Sequence, residues 1–263
     1  MSKPTVSLVI IALNEERTIA QVIDAARPLV DEVILVDSGS GDATMSLAAE
    51  RGARVVHQDW LGFAAQKNFA IEQASCDWIL SLDADEVLTA ALVHEIEALL
   101  ASPDLGKYDG YKIPRILFIG EQPVVHGGFY PDAQLRLFKR GKGRFGERLV
   151  HEAIKMKGPV AVLKNPMHHY AYKDVAGFEE AMEKYARLSA REYFERGNYQ
   201  ARASLLNEII HPQWTFFSRY LLRGGFRDGE IGFKLAALYS GYVRKKIAYL
   251  REIVRERKGD SRA

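Results

Sequence analysis

Residues 78–89 read WILSLDADEVLT. A strand-like, mostly apolar run leads directly into Asp83-Ala84-Asp85-Glu86, which puts three carboxylates within four positions. Carboxylates held this close together repel one another unless a cation joins them. The stretch therefore predicts a strand whose carboxyl end forms a charged site, and the segments on either side of it indicate the kind of sheet.

Strand-like and helix-like segments alternate through about the first hundred residues. Val6–Leu13 is a continuous apolar run, typical of a strand buried on both faces, and Glu32–Val36 and Ala53–His57 are shorter strands. Helices are predicted to begin near Glu15, with Asn14 as the N-cap, and to cover residues 43–51, 63–74 and 89–101. Short links between the segments predict an α/β fold, a mostly parallel sheet with helices on both faces.

The pattern changes from Tyr108 onward. Residues 108–120, 134–140 and 159–163 alternate or are apolar, which predicts a mixed or antiparallel extension of the sheet. After Asp174 the spacing of apolar residues is helical. We therefore divide the chain into a domain of residues 1–172, with halves 1–107 and 108–172, and a helical extension of residues 173–263.

Composition limits the class of protein. The 263 residues are 48% hydrophobic and 27% charged, which is ordinary for a soluble globular protein. A single cysteine rules out an internal disulfide and favours a reducing compartment. We expect neither a signal peptide nor a transmembrane helix. A net charge of only +2 argues against a nucleic-acid partner.

The charge is unevenly distributed. From Gln213 onward there are 12 lysines and arginines against 5 acids, or +7, which leaves −5 for the rest. Two interpretations stay open: helices that pack on the first domain with basic faces in water, or an amphipathic surface that rests on an anionic membrane. In the combined version, aromatic residues such as Trp214 and Phe217 face inward and arginines face lipid phosphate. Electrostatic binding of this kind predicts release from anionic liposomes at high salt.

Polar residues follow the strands of the predicted sheet. Asn14 and Glu15 come after the first strand, Asp37 after the second, and Asp83 and Asp85 after the fourth. Ligands of open parallel sheets bind beyond these carboxyl ends. A hard divalent ion takes one or two carboxylates and fills its shell with water and phosphate oxygens, so the pattern predicts Mg²⁺ or Mn²⁺ with a diphosphate. The alternative is that Asp83 and Asp85 only cap the following helix.

Three segments resemble the nucleotide-sugar domain of family 2 glycosyltransferases: residues 7–19 (SLVIIALNEERTI), 33–44 (VILVDSGSGDAT) and 66–86 (QKNFAIEQASCDWILSLDADE). Residues 126–140 (HGGFYPDAQLRLFKR), 144–152 (RFGERLVHE) and 168–170 (HHY) resemble one branch of that family, which adds glucose to the heptose of the lipopolysaccharide inner core. The resemblance implies the Rossmann-like GT-A fold and a metal-dependent, inverting transfer of a hexose, glucose, from a UDP-sugar to a lipid-linked saccharide. It also implies a cytoplasmic protein, peripheral on the cytoplasmic face of the inner membrane.

The resemblance implies roles for single residues. Those for the donor are Ala12, Asn14 and Glu15 at the nucleoside, Asp37 at the uracil, Lys67 at a phosphate, Asp83 at the ribose or the metal's water, and Asp85 at the metal. Of the two adjacent histidines, His168 and His169, only one can face the metal or the diphosphate, because neighbouring strand residues point to opposite faces. We take His169 as this ligand.

An inverting transferase also needs a base for the acceptor hydroxyl. The candidates are Asp132 and Glu152, and the resemblance favours Glu152, with His151 where the family has a second acid. Further predicted contacts are Gly127 and Gly128, which let the backbone approach the donor sugar, and Arg136, Arg140 and Arg148, which could bind acceptor phosphates. Asp132 could instead only close a turn, and the arginines could be merely solvated.

Two other functions stay open. A Mg²⁺-dependent nucleotidyltransferase would need a glycine-rich, basic loop after the first strand, whereas residues 12–18 read ALNEERT. A non-catalytic nucleotide-sugar-binding or membrane scaffold would carry the same acids, but it would tolerate replacement of the base.

Overall fold

A computed structural model describes residues 4–146, 154–197 and 204–260. The chain forms two compact units, which are described separately: the first contains Met1–Ile116 and Pro131–Ala171, and the second contains Leu117–Tyr130 and Tyr172–Ala263. The predicted division at residue 172, and the roles given to its two parts, stay predictions.

The elements follow in chain order. The strands are β1 (Val6–Ala12), β2 (Glu32–Asp37), β3 (Arg54–His57), β4 (Trp78–Asp83), β5 (Glu86–Leu88), β6 (Gly110–Ile113), β7 (Arg115–Ile119), β8 (Gln122–Val124), β9 (Gln134–Lys139), β10 (Gly143–Phe145), β11 (Ile154–Met156), β12 (Val160–Val162) and β13 (Met167–Tyr172). The helices are α1 (Ile19–Ala26), α2 (Thr44–Glu50), α3 (Phe63–Glu72), α4 (Ala90–Leu100), α5 (Val175–Glu195), α6 (Leu205–Phe217) and α7 (Gly229–Asp260).

The first unit is built on a seven-stranded sheet of order β12-β6-β9-β4-β1-β2-β3. Strand β9 is antiparallel to both of its neighbours, and the other pairs are parallel. Leu8 and Ile10 of β1 pack into a core with α1 and α4, whereas Val9 packs into a second core with α3. The prediction of a mostly parallel sheet with helices on both faces is therefore confirmed, and the change of pattern after Tyr108 corresponds to the mixed half.

The start of the first helix was predicted wrongly. Helix α1 begins at Ile19 after Thr18, and Asn14 does not cap it. Asn14 has a left-handed backbone with φ of 57°, and its side-chain oxygen accepts a hydrogen bond from the Gly41 N–H at 2.9 Å. The loop that follows β1 is thus tied to the loop that follows β2, and this long-range contact takes the place of a local cap.

The second unit is mainly helical. Helix α7 packs against both α5 and α6, and the core of this unit includes Phe178, Ile231 and Leu235. Trp214 and Phe217 of α6 do not face inward, because they are 60% and 43% exposed. Among the described residues, no helix is both long enough and apolar enough to span a bilayer.

Candidate functional site

The parallel register brings the polar strand ends together. Ala12 lies beside Asp37 at the ends of β1 and β2, and Ile11 lies beside Asp83 at the ends of β1 and β4. The carboxyl ends of β1, β2 and β4 therefore lie side by side at one edge of the sheet. What each side chain does there is decided by its partners.

Asp37 is fully buried and holds its own loop. One of its oxygens accepts the N–H groups of Gly39 and Ser40, both at 2.8 Å, and the other accepts the Ser40 hydroxyl at 2.5 Å. The same hydroxyl accepts a hydrogen bond from the Asn14 N–H at 2.9 Å. The carboxylate of Asp37 thus fixes the loop that follows β2, and its direct contact with a uracil stays a prediction.

Glu15 lies close to the other acids. Its backbone N–H donates to Thr44 Oγ1 at 2.7 Å, which fixes the position of the residue. Burial raises the pKa of the Glu15 carboxyl, and the neighbouring charges of Asp85, Asp42 and Asp83 raise it further. A hydrogen bond from the Thr18 hydroxyl lowers the pKa but does not offset these effects, and no lysine or arginine of the described residues forms an ion pair with Glu15.

Asp83 is neutralised by two cations of the protein. One oxygen contacts Lys67 Nζ at 2.5 Å, and the other accepts a hydrogen bond from Arg136 Nη2 at 2.5 Å. Burial alone would raise the pKa of Asp83, but Arg136 and Lys67 outweigh it and hold the pKa far below its ordinary value. Because both oxygens already contact cations, Asp83 is placed poorly to be a metal ligand. Lys67 and Arg136, predicted to contact phosphates, here contact this acid.

Glu86 is the third acid of the opening stretch, and the sequence did not identify it as a site residue. It is fully buried, and its Oε1 accepts hydrogen bonds from Arg136 and Arg115, each at 2.7 Å. Its Oε2 accepts the N–H of Asp83 at 3.1 Å, which closes the turn between β4 and β5. Burial would lower the pKa of Arg136, but Asp83 and Glu86 raise it above its ordinary value. In the sequence, the only sign of a buried acid that needs cationic partners is that Glu86 is followed directly by the apolar residues Val87 and Leu88.

Asp85 is the acid of the turn whose side chain forms no ion pair with a lysine or arginine of the described residues. Its Oδ2 lies 3.5 Å from His169 Nε2, and both side chains are partly exposed. The pairing of β13 with β5 sets this distance, since His169 lies opposite Glu86 and the Tyr170 N–H donates to the Asp85 carbonyl at 2.9 Å. His168 lies on the other side of the strand, and burial lowers its pKa. Of the two histidines, the structure therefore brings His169 to the acids.

An oxygen and an imidazole nitrogen at this separation fit a divalent ion that takes further ligands from elsewhere. Mg²⁺ binds oxygen at about 2.0–2.1 Å and commonly keeps only one or two protein carboxylates beside water and phosphate. Within the described residues there is no group of three or more His, Cys, Asp or Glu side chains arranged to hold a metal. The donor set of Asp85 and His169 thus suits a metal whose shell a diphosphate completes.

Of the two candidate bases, the structure describes only Asp132. Asp132 is bound to Arg115, whose Nε lies 3.2 Å from Oδ2, and its Oδ1 accepts from Gln134 Nε2 at 2.7 Å. Burial would raise the pKa of Asp132, but Arg115 outweighs it and the pKa is lowered, which weakens the group as a base. Glu152, His151 and Arg148 lie outside the described residues.

The predicted glycine pair belongs to the second unit. Gly127 and Gly128 have φ values of 67° and 79°, which favour glycine. The Gly127 N–H donates to the Arg223 carbonyl at 2.9 Å, and Arg219 Nη1 donates to the Gly127 carbonyl at 2.7 Å. Their contact with a donor sugar stays a prediction.

Similar proteins identify the family of this chain. The family model Glycosyl transferase family 2 matches residues 7–112, which contain all of β1 except Val6, the strands β2 to β5 and the acidic turn. The lipopolysaccharide core biosynthesis glycosyltransferase LpsC of Rhizobium meliloti (strain 1021) is 32% identical over 273 residues, which cover 97% of this chain and 96% of that protein. An uncharacterized glycosyltransferase of Rickettsia felis is 30% identical over 258 residues, covering 94% of this chain and 89% of that one.

A solved structure is also similar in sequence over a shorter segment. It is the glucosyl-3-phosphoglycerate synthase of Mycobacterium tuberculosis in complex with Mn²⁺, UDP and phosphoglyceric acid, 31% identical over 43% of each chain, with a TM-score of 0.35. The similarity to LpsC along nearly the whole chain, together with the family match, shows that the chain belongs to glycosyl transferase family 2 and has the GT-A fold.

Proposed function

We propose that this family 2 glycosyltransferase is an inverting, metal-dependent enzyme that moves a hexose, glucose, from a UDP-sugar to a lipid-linked saccharide. The acceptor we propose is the heptose of the lipopolysaccharide inner core, and the protein is peripheral on the cytoplasmic face of the inner membrane. The similarity to LpsC along nearly the whole chain supports a place in lipopolysaccharide core synthesis. The similarity does not extend to the choice of sugar, which depends on the shape of the pocket.

The pair of Asp85 and His169 is the observation that supports this function best. These two side chains would hold Mg²⁺ or Mn²⁺, which supplies positive charge to the departing diphosphate. Asp83 stays ionised because Lys67 and Arg136 lower its pKa, so it is a permanent acceptor for a ribose hydroxyl. Ala12, Asn14, Glu15 and Asp37 form the adjoining edge, where the uracil would bind.

For the base we propose Glu152, which would take the proton of the acceptor hydroxyl as that oxygen attacks the anomeric carbon. The ion pair with Arg115 and the lowered pKa of Asp132 count against the other candidate. In this view Asp132 orients Arg115, which in turn contacts Glu86 beneath the acidic turn. The proposal for Glu152 itself depends on its position in the sequence.

Calorimetric titration of UDP tests the donor site. We expect binding in the presence of Mn²⁺ or Mg²⁺ and little or none in EDTA, and we expect Asp85→Asn and His169→Ala to lose the metal-dependent part. Asp104→Asn is the control, because this carboxylate is exposed and paired only with Lys107 on a 3-10 helix of the first unit. If folded wild-type protein binds no UDP with either metal, the acids after β4 have a structural role only and the proposal fails.

A further inference from the structure

Helix α6 carries a stripe of apolar side chains that face solvent. Leu206, Ile210, Trp214 and Phe217 follow one another at spacings of four, four and three residues, which places them on one face of the helix. They are 65%, 50%, 60% and 43% exposed. Ten of the nineteen large hydrophobic residues that are exposed in the described part of the chain lie between Leu205 and Phe233. Exposed apolar residues are ordinary singly, but a concentration of this kind marks a contact surface.

A second group of aromatic residues lies at the end of α6 and in the segment that follows it. The ring of Phe216 stacks with that of Tyr220, and both meet Phe233 edge-on at 5.6 and 5.5 Å between centroids. Tyr220 also contacts Phe226. Phe226 and Phe233 are 48% and 50% exposed. We call Leu206, Ile210, Trp214, Phe217, Phe226 and Phe233 together the α6 apolar surface.

The charges around this surface are positive. Each acid of residues 205–234 already has a partner: Glu208 pairs with Arg251, Glu230 pairs with Lys234, and Asp228 lies 2.7 Å from His126 Nδ1. Arg223 and Arg227, both exposed, have no carboxylate partner among the residues that the structure describes. The segment thus combines exposed apolar and aromatic side chains with two exposed arginines that could meet an anion, as membrane-surface helices do, and one of them, Arg227, lies over the ring of Phe226 at 5.8 Å.

We infer that the α6 apolar surface inserts into the interface of a bilayer that contains anionic lipids, with Arg223 and Arg227 against lipid phosphates. This inference rests on the proposed function, whose acceptor is lipid-linked, and it names the surface and the mode of contact. The charge of the basic tail alone predicts a purely electrostatic contact with the membrane. We infer instead that insertion of apolar side chains provides most of the binding and that the arginines add to it. Aromatic side chains such as Trp214 are the ones that favour the level of the headgroups.

A second copy of the chain is a poorer occupant of this surface. A two-fold contact buries the same patch on both copies, so it would bring four arginines into one interface. The segment has no free acid to receive them, since all three of its carboxylates are paired. A bilayer with anionic headgroups supplies both the apolar volume and the negative charge.

Co-sedimentation with vesicles tests the inference. The vesicles are phosphatidylcholine alone or mixed with phosphatidylglycerol, in about 0.1 M and about 1 M NaCl, where the Debye length falls from about 10 Å to about 3 Å. We expect the wild type to bind the anionic vesicles, and to stay bound in part at the higher salt, because apolar contacts are not screened. The triple variant Leu206→Ser, Ile210→Ser, Trp214→Ser should bind at least about tenfold more weakly at both salt concentrations.

The matched control changes three equally exposed apolar residues of the first unit, Trp60→Ser, Leu61→Ser and Phe63→Ser, which should leave vesicle binding unchanged. Circular dichroism and UDP titration of the same samples verify that each variant is folded. If wild-type binding vanishes at about 1 M NaCl, if the triple variant of α6 binds as the wild type does, or if both variants lose binding equally, the inference is overturned.

Sedimentation velocity tests whether a second copy of the chain occupies the α6 apolar surface. A wild-type dimer that the α6 variant dissociates, without vesicle binding, would identify a second copy as the occupant and overturn the inference. Wild-type protein that binds UDP but no vesicles refutes the membrane surface and leaves the donor site standing. Vesicle binding without UDP binding refutes the donor site and supports the surface.

Discussion

Replacing Arg136 by methionine should destabilise the first unit by about 3 kcal/mol. The side chain is 5% exposed, and its Nη2 lies 2.5 Å from Asp83 and 2.7 Å from Glu86. Removing one partner of a buried ion pair costs about 3–5 kcal/mol, because the remaining charge is left in a medium of low dielectric constant. Asp83 keeps Lys67 and Glu86 keeps Arg115, so we expect the lower end of that range.

The defect should depend on pH in a definite direction. Arg136 lowers the folded-state pKa of Asp83, so its contribution to stability is present above the unfolded pKa of about 3.9 and declines as the pH falls below that value. In the variant, the folded-state pKa of Asp83 is lowered much less. The free energies of unfolding of wild type and variant should therefore differ fully at pH 7 and converge below about pH 4. In that range the Asp83 carboxyl of the wild type is protonated in the unfolded state but still ionised in the folded state.

Urea unfolding followed by tryptophan fluorescence measures both effects, since Trp78 of β4 is buried in the first unit. Arg144→Met is the control: this arginine is also in an ion pair, with Glu72, but both side chains are mostly exposed and the cost should be below about 1 kcal/mol. A cost below about 1 kcal/mol for Arg136→Met, or a difference that does not change with pH, would refute the view that this arginine compensates two buried acids.

Three other changes test separate parts of the structure. Glu152→Gln should lower the transfer rate by about 10²–10⁴-fold, whereas Asp132→Asn should lower it less than about tenfold; the reverse order would make Asp132 the base. Burial alone would raise the pKa of Glu32, but hydrogen bonds from hydroxyl and amide donors outweigh it and lower the pKa. Glu32→Gln should therefore destabilise the protein by about 1–2 kcal/mol at pH 7 and by less below about pH 4. Urea unfolding at both pH values would measure this difference. Gly128→Ala should lower the melting temperature, because φ is 79° and a Cβ would lie 2.5 Å from Arg223 Nη1; an unchanged melting temperature would show that the loop relaxes freely.

The sheet could be predicted because its strands are local patterns. A strand buried on both faces needs a continuous apolar run, and β1, β2 and β4 have one. Strand β5 could not be predicted, since its three residues form a strand only by pairing with β13, some eighty residues later in the chain. The position of Asn14 was missed for the same reason: its partner is Gly41, on another loop, and a local rule assigned it to the nearest helix.

The candidate site was predicted as a set of residues but not as a set of pairs. Asp83, Lys67 and Arg136 were each expected to face a ligand, yet the structure brings them to one another. Residue types and strand ends show that charge collects at this edge. They cannot show which charges cancel, because that depends on side-chain distances across three elements: β4, α3 and β9. Glu86 was noted as an acid of the opening stretch, but its partners Arg115 and Arg136 lie far from it in the sequence, and no local pattern predicts these contacts.

The repulsion within residues 83–86 is therefore relieved in two different ways. Around the turn, the cations Lys67, Arg115 and Arg136 lie with Asp83, Glu86 and Asp132. Neither Asp85 nor Glu15 forms an ion pair with a lysine or arginine in the described part of the chain, so their negative charge is not compensated in this way. Burial and the charge of Asp85 raise the pKa of Glu15, as expected where positive charge is missing. Uncompensated carboxylates beside an imidazole would suit a divalent ion, and the arginines beneath the turn keep the negative charge at Asp85 instead of spreading it over the whole stretch.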